Sequence, residues 1–170
     1  IMLHLPSYLV DAGMSANVGM TAVALIGLFN IFGSFYFGWA GGRSSKKNLL
    51  VWIYGLRAVA IFIFMLVPLS TAAAWIFAAV IGILWLATVP LTNGLIAQIF
   101  GLRYMSMLTG VVFLGHQLGS FLGAWMGGRI FDETGSYSLA WSISIGLSIL
   151  AAICSWPVNE KPLARLGTAT

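Results

Sequence analysis

The sequence is poor in charged residues, and acids are the scarcest. Its 170 residues include eight Lys and Arg and four Asp and Glu, which is 7% of the chain, whereas soluble domains carry about 25%. So few charges cannot cover the surface of a water-soluble fold. Because 60% of the residues are apolar, the composition instead predicts an all-α polytopic membrane protein.

Cysteine is also scarce, and the sequence patterns of common catalytic, phosphate-binding and metal sites are absent. The single cysteine, Cys154, excludes a disulfide within the chain. There is no phosphate-binding P-loop, no His/Cys/Asp cluster at metal-ligand spacing and no Gly-x-Ser-x-Gly elbow. We therefore expect no catalytic residue, no metal and no cofactor. The net charge of +4 does not indicate nucleic-acid binding, because the basic residues lie at the ends of apolar runs.

Long apolar runs are what the sequence has in abundance. Five of them are long enough to cross about 30 Å of hydrocarbon, and they cover residues 16–40, 49–69, 72–99, 105–126 and 137–158. Residues 1–10 resemble the end of another spanning helix. We therefore predict a fragment of a longer protein, with a transmembrane bundle over residues 1–158 and a tail over residues 159–170. Pro90 predicts a kink in the third span.

Basic residues are distributed unequally over the two sides of the predicted spans. One side carries six of them, namely Arg43, Lys46, Lys47, Arg103, Lys161 and Arg165. The other side carries Arg129 alone, beside Asp132 and Glu133 and on the same side as Asp11. Because basic residues stay on the cytoplasmic side, this asymmetry predicts a cytoplasmic C-terminus.

Arg57 is the main anomaly inside a predicted span. It lies about 15 Å beyond Lys47 at helical rise, near the middle of the bilayer, where a charge costs about 2.5–3.5 kcal/mol on insertion scales. No acid lies within the five spans. Its partner must therefore be a backbone carbonyl, a polar side chain, a group on another part of the protein, or an anionic ligand. A structural, a substrate-binding and a gating role all remain open.

Four further polar residues lie within the spans. His116 and Gln117 sit among glycines in the fourth span, where histidine could relay protons or hydrogen-bond between helices. Asn30 and Asn93 can join neighbouring helices or face a ligand. We take all four, with Arg57, as candidates for a substrate cavity.

The fourth span also carries a glycine at every fourth position. These residues are Gly115, Gly119, Gly123 and Gly127. Such a stripe lets two helix backbones approach closely, so it predicts a helix-packing face. A smooth glycine face would also allow one helix to move against another.

The turn after the first complete span resembles a known family. Its pattern Gly38-x-x-x-Gly42-Arg43-x-x-Lys46-Lys47 is similar to the loop signature of the major facilitator superfamily, Gly-x-x-x-Asp-Arg-x-Gly-Arg-Arg/Lys. Gly42 stands where the signature has its Asp. The segments 100–104, 116–120 and 128–137 resemble the closing half of bacterial members that are similar to monocarboxylate transporters.

The resemblance implies twelve helices in two six-helix bundles, of which this chain would supply the end of the seventh and the eighth to twelfth. It implies alternating access, with a small solute held between the halves, and makes the loop a conformational switch. In the family the seventh, eighth, tenth and eleventh helices line the cavity, which favours Asn30, Asn93, His116 and Gln117 over Arg57.

The sequence thus favours a secondary transporter of a small solute, with an organic anion and proton coupling as the finer interpretation. Its expected partners are lipid, the other half of the protein, the solute and protons. The expected location is a cell membrane, the inner membrane of a bacterium. The alternative is a non-transporting assembly or sensor subunit. An intramembrane enzyme would need a nucleophile–base pair, for which His116 and Ser120 are too little.

Overall fold

The computed structural model describes residues 2–163, which form helices joined by short turns. Ile1 and Arg165, on which two of the expectations fall, lie outside this range. The helices are α1 (Leu5–Asp11), α2 (Ala16–Gly41), α3 (Lys46–Leu66), α4 (Thr71–Trp85), α5 (Thr88–Phe100), α6 (Met105–Thr134) and α7 (Ser138–Ser155), with a short 3₁₀ turn at Leu102–Tyr104 before α6.

Five membrane-length helical segments lie within residues 2–163, judged by length and apolar composition. They are α2, α3, the α4–α5 pair, α6 with its preceding turn, and α7. The predicted all-α membrane fold with five spans is therefore confirmed. The short α1 precedes them and packs against α2.

Several helix boundaries differ from the predicted ones by three residues or more, and two of these differences have a clear local cause. Helix α3 begins at Lys46 instead of residue 49, since the Ser45 side chain accepts a hydrogen bond from the Asn48 N–H and caps the helix. Helix α6 continues to Thr134 instead of ending near residue 126, and stops where Gly135 takes φ +66°. The turn predicted after residue 126 is helical, so the left-handed glycine comes two turns later.

The third span is broken where proline chemistry requires it. Helix α4 ends at Trp85 and α5 begins at Thr88, and Pro90 lies four residues after Leu86. Because proline has no N–H, it cannot donate to the Leu86 carbonyl. The Val89 N–H donates to that carbonyl instead, at 3.0 Å. The kink predicted from Pro90 is therefore a two-residue interruption of the helix.

Helices α2 and α4 pack with their backbones in close contact through two glycines. A Cβ added to Gly82 would lie 2.7 Å from the Ile26 carbonyl oxygen, and one added to Gly33 would overlap the backbone of Ile83. Any side chain at either position would push the helices apart. Small residues are the usual means by which membrane helices gain van der Waals contact.

Aromatic side chains fill the core at the end of the bundle where α1 lies. Phe64 of α3 stacks on Phe77 of α4 with ring centroids 4.0 Å apart, and Trp141 of α7 meets both edge-on. Tyr8 of α1 packs edge-on against Trp141 at 5.6 Å. This cluster joins α1, α3, α4 and α7 into one unit.

Helix α6 stands apart from that unit. Of its residues only Gly127 is buried within the part of the chain that the structure describes. It contacts α5 and α7 over short stretches and leaves a broad apolar surface uncovered. The space between α6 and the other helices is where the cavity of the molecule lies.

Candidate functional site: a cavity beside the α4–α5 break

A cavity of about 730 Å³ opens between α6 and walls formed by α3, α5, α7 and the segment that precedes α1. This volume falls in the range of small-molecule sites. Most of its lining is apolar, and its polar groups come from His4 and from α3, α5, α6 and α7. Small residues of α6, including Gly119 and Gly123, form one wall.

Three of the five predicted cavity residues line this space and two do not. Arg57 of α3, Asn93 of α5 and His116 of α6 are on its wall. Asn30 lies behind the wall, at the break between α4 and α5. Gln117 is exposed and lies outside the cavity lining. The family resemblance placed Arg57 last among the five candidates, whereas Arg57 lines the cavity and Asn30 and Gln117 do not.

The cavity wall is rich in hydrogen-bond donors and has no carboxylate. Its ionisable cationic groups are Arg57, His4 and His116, and no Asp or Glu is among the residues that line it. Two buried side-chain nitrogens without a hydrogen-bond partner among residues 2–163 both belong to lining residues, the Arg57 Nε and the Trp141 Nε1. Both are donors, so a group that satisfies them must be an acceptor.

His4 is a cavity residue that sequence reasoning did not find. Its Nε2 lies 2.9 Å from the Ala124 carbonyl oxygen of α6, and since a carbonyl only accepts, Nε2 donates this bond. The ring also lies 5.6 Å from that of Tyr137 and fills the space beside Gly127. No sequence signal could have revealed this, because the segment before Pro6 is too short to define a helical face.

The Arg57 guanidinium is bound to backbone carbonyls at the break. Its Nη2 donates to the carbonyl oxygens of Leu84 at 2.6 Å and Trp85 at 3.1 Å. The Trp85 carbonyl is available because Val89, which would donate to it in a regular helix, donates to Leu86 instead. The rings of Trp85 and Tyr54 lie 5.7 Å and 5.4 Å from the guanidinium carbon, which adds cation–π attraction.

Asn30 holds the same break from the opposite side. Its Oδ1 accepts a hydrogen bond from the Leu86 N–H at 3.1 Å, and the Ser34 hydroxyl donates to it at 3.4 Å. A side chain from α2 and one from α3 therefore satisfy the backbone groups that the interruption exposes. We call Arg57 and Asn30 together the break clamp.

The other two candidate polar residues on the wall are held loosely. The Thr109 hydroxyl of α6 donates to the Asn93 Oδ1 of α5 at 3.2 Å. His116 stacks on Phe113 of its own helix, with ring centroids 6.2 Å apart. Asn93 thus links α5 to α6, whereas the His116 ring has no hydrogen bond within residues 2–163.

At the other end of α5 the basic loop meets the segment after α7. The Lys46 Nζ donates to the Gln98 Oε1 at 2.7 Å, and the Lys47 N–H donates to the Glu160 Oε1 at 2.7 Å. Gln98 in turn donates to the Glu160 carbonyl at 2.9 Å. The Leu163 N–H donates to the Ile99 carbonyl at 3.0 Å. The start of α3, the end of α5 and the C-terminal segment therefore lie at one end of the bundle.

The remaining residues of the loop signature lie along the end of α2. Gly38 faces Pro90 at ordinary contact distance, and Gly42 follows the last residue of the helix. The Arg43 guanidinium lies over the ring of Trp39, 4.3 Å from its centroid. Nothing in these contacts tests whether the loop acts as a conformational switch, which stays a prediction.

Three of the four glycines predicted to pack a helix contact no other helix within residues 2–163. A Cβ added to Gly115, Gly119 or Gly123 would meet no other atom within 4 Å among the described residues. A Cβ on Gly127 would lie 2.7 Å from the His4 Nε2. The stripe is therefore an open face in residues 2–163, and its packing role stays a prediction.

The helices, their lengths and the central cavity define a polytopic membrane protein. A family model described as the Major Facilitator Superfamily matches residues 1–169. The chain belongs to the Major Facilitator Superfamily. Membership implies a transporter rather than an enzyme and favours the transporter interpretation over the non-transporting subunit.

Curated relatives agree with the family. Monocarboxylate transporter 12-B of Danio rerio is 23% identical over 88% of this chain and 32% of its own length. Monocarboxylate transporter 12 of Homo sapiens is 26% identical over 82% and 28%, and MFS transporter asaE of Aspergillus flavus 26% over 83% and 32%. The chain spans about a third of the length of these relatives, which are animal and fungal proteins. No solved structure matches the chain.

Proposed function

We propose that this chain belongs to the C-terminal half of a secondary transporter that carries a small organic anion, of the monocarboxylate class, by alternating access. The relatives named as monocarboxylate transporters support the solute class, and membership of the superfamily supports the transport mechanism. Because the chain spans about a third of those relatives, the activity belongs to a longer protein whose other half would close the cavity.

One observation carries the choice of an anion. The buried nitrogens without partners among residues 2–163, the Arg57 Nε and the Trp141 Nε1, are both donors and belong to residues that line the cavity. A buried donor without an acceptor loses about 1–3 kcal/mol relative to a satisfied one. A carboxylate supplies two acceptor oxygens and a negative charge, so it would satisfy these groups where a cation could not.

The rest of the wall fits the hydrocarbon part of such a solute. Apolar surface dominates the lining, and the scattered hydroxyls and amides can orient a small molecule without holding it tightly. His4 and His116 add two imidazole rings to the wall, and imidazole is a side chain that can carry a proton. We propose them as the groups through which proton movement would be coupled to the anion.

The orientation follows from the charges. With the basic loop and Glu160 at one end of the bundle, we propose that this end and the C-terminus face the cytoplasm of the cell in whose membrane the protein lies. That the membrane is the inner membrane of a bacterium is a proposal from the sequence resemblance alone.

Uptake by the full-length protein in proteoliposomes tests the proposal. Radiolabelled acetate, lactate and pyruvate are supplied with and without an inward proton gradient. Uptake that the gradient stimulates is expected. Trp141→Phe keeps the aromatic packing but removes the indole N–H, and it should raise KM about tenfold through loss of one hydrogen bond to a charged group.

Trp52→Phe is the matched control, because Trp52 is 68% exposed and lies outside the cavity lining. Its KM should equal that of the wild type. If no carboxylate enters the vesicles, the anion assignment is wrong. If uptake occurs but Trp141→Phe transports like Trp52→Phe, the unpaired indole donor is not part of the site.

A further inference from the structure

We propose that Arg57 couples the binding of a carboxylate in the cavity to the geometry of the α4–α5 break. The inference rests on the proposed function, because it takes an anionic solute as given. It adds a positioning role that neither the family nor its relatives' names assign. The break clamp would then be the element that senses occupancy.

The first step is the hydrogen-bond inventory of the guanidinium. Among residues 2–163 only its Nη2 has partners, and these are the carbonyls of Leu84 and Trp85. The Nε is buried without an acceptor. Arg57 therefore lies on the cavity wall with both hydrogens of Nη2 bonded to carbonyls and with N–H groups on its other nitrogens still able to donate.

The second step is stereochemical. Guanidinium binds a carboxylate best through two parallel N–H bonds, and the available pairs are Nε with Nη2 or Nη1 with Nη2. Both pairs include Nη2, which has two hydrogens and already serves two carbonyls. A carboxylate held by either pair must therefore displace at least one carbonyl of the break.

The third step is energetic. Hydrogen bonds to an ionised acceptor are roughly twice as strong as those to a neutral one, so a desolvated carboxylate competes well against a carbonyl. The Trp85 carbonyl, if displaced, cannot regain its regular helical partner, because the Val89 N–H already donates to Leu86, whose own regular partner, Pro90, has no N–H. The Leu84 carbonyl could bind its regular partner, the Thr88 N–H, only if the interruption between α4 and α5 closed. The break must then change its bend to satisfy the released group.

The fourth step connects the bend to the cavity. Helix α5 carries Thr88, Thr92 and Asn93 on the cavity wall, and Asn93 is bonded to Thr109 of α6. A change of bend at Leu86 moves these side chains relative to α4, which α2 holds in close contact through Gly33 and Gly82. Occupancy would thus be transmitted to the wall that faces α6.

A distance measurement across the break tests this in the full-length protein. Spin labels are placed at Ile76 of α4 and at Leu102 beyond α5, which are 65% and 78% exposed, in a background where Cys154 and any other native cysteine are replaced. The ligands are whichever of acetate, lactate and pyruvate gives the highest uptake, and its methyl ester. The acid should shift the distance distribution, and the uncharged ester should not.

Arg57→Lys keeps the charge but cannot form the two-bond fork. It should abolish the shift and raise the KM for the acid about ten- to a hundredfold, as expected when a charged hydrogen bond is lost. Arg103→Lys is the matched control, because that arginine lies outside the cavity, over the ring of Tyr104. It should leave both the shift and the KM unchanged.

The outcomes separate this inference from the proposed function. Uptake of the acid without a distance shift in the wild type overturns the inference alone, as does a shift that persists in Arg57→Lys. Absence of uptake for all three acids overturns the proposed function and the inference with it. If Arg57→Lys does not fold, the wild-type comparison of acid with ester still decides.

Discussion

Two sets of helical glycines in this molecule differ in what they contact. Gly33 and Gly82 press α2 and α4 together so closely that neither could carry a methyl group. Gly115, Gly119 and Gly123 line up on one face of α6 and touch nothing among the described residues. The regular stripe is the open surface, and the two isolated glycines form the contact.

The difference teaches that glycine spacing identifies a face but not its occupant. In a membrane, helices associate by van der Waals packing and hydrogen bonds, since lipid tails are as apolar as the helices themselves. A small residue gains this packing only where another backbone is present. Helix α6 is exposed over most of its length among residues 2–163, and we propose that the other half of the full-length protein covers it.

The largest loss of stability is expected from adding a side chain where α2 and α4 are in backbone contact. Gly33→Ala should lower the free energy of unfolding by about 3 kcal/mol, because the new Cβ overlaps the Ile83 backbone and overpacking at rigid backbone is at the upper end of its usual range. Titration of the protein with a denaturing detergent in bicelles measures it. Gly27→Ala on the same helix has no neighbour within 4 Å and should unfold like the wild type; equal losses for the two would contradict the packing argument.

The second-largest loss of stability is expected from a change in the break clamp. Asn30→Leu keeps the size of the side chain but removes the acceptor of the Leu86 N–H, and an unsatisfied buried donor costs about 2 kcal/mol. The same titration measures the loss. Asn48→Leu, at an exposed position on α3, is the control and should change stability far less. An Asn30 variant as stable as its control would show that water or another group satisfies Leu86.

The contact between the basic loop and the C-terminal segment should contribute less. Glu160→Ala removes a carboxylate from the N–H at the start of α3, where negative charge also favours the helix dipole, so a loss of about 1 kcal/mol is expected. Glu133→Ala is the control, because Glu133 forms an exposed pair with Arg129 one helical turn away. That pair should contribute less than about 0.5 kcal/mol. Reversed ranks in the detergent titration would contradict the contact.

The smallest effect on stability is expected on the open face. Gly119→Ala meets no atom within 4 Å, so stability should stay unchanged or rise by up to about 1 kcal/mol through helix propensity. The larger Gly119→Leu should still slow uptake by the full-length protein, because Gly119 lies on the cavity wall and another helix is proposed to move over this face. Gly110→Leu, also open but outside the stripe and the cavity lining, is the control. Equal uptake by the two leucine variants would contradict a mobile helix contact here.

Much of the architecture could be predicted from the sequence. Length and apolar content indicate each span without reference to any other, and the five predicted spans are present. Pro90 marked the broken span because the missing N–H is a property of the residue itself. The basic residues of the loop and the C-terminal segment were assigned to one side, and Lys46, Lys47 and Glu160 do lie at one end of the bundle.

The residues of the candidate site were harder to predict from the sequence. Arg57, Asn93 and His116 reach the cavity, but Asn30 is bonded to the break and Gln117 faces away. His4 came from a segment too short to show a face. Which side chains meet across a space depends on the rotation and spacing of several helices, and a single sequence does not contain those distances.

The amino-acid sequence by itself determined the membrane fold, the number of spans, the interruption at Pro90 and the need of a buried arginine for a partner. These follow from the transfer energy of each segment and from the covalent chemistry of single residues. Only the tertiary structure decided that Leu84 and Trp85 meet Arg57, that Gly33 and Gly82 carry the close contact, and that Arg57 and Trp141 line the same cavity. Those are distances between residues far apart in the chain, and packing alone determines them.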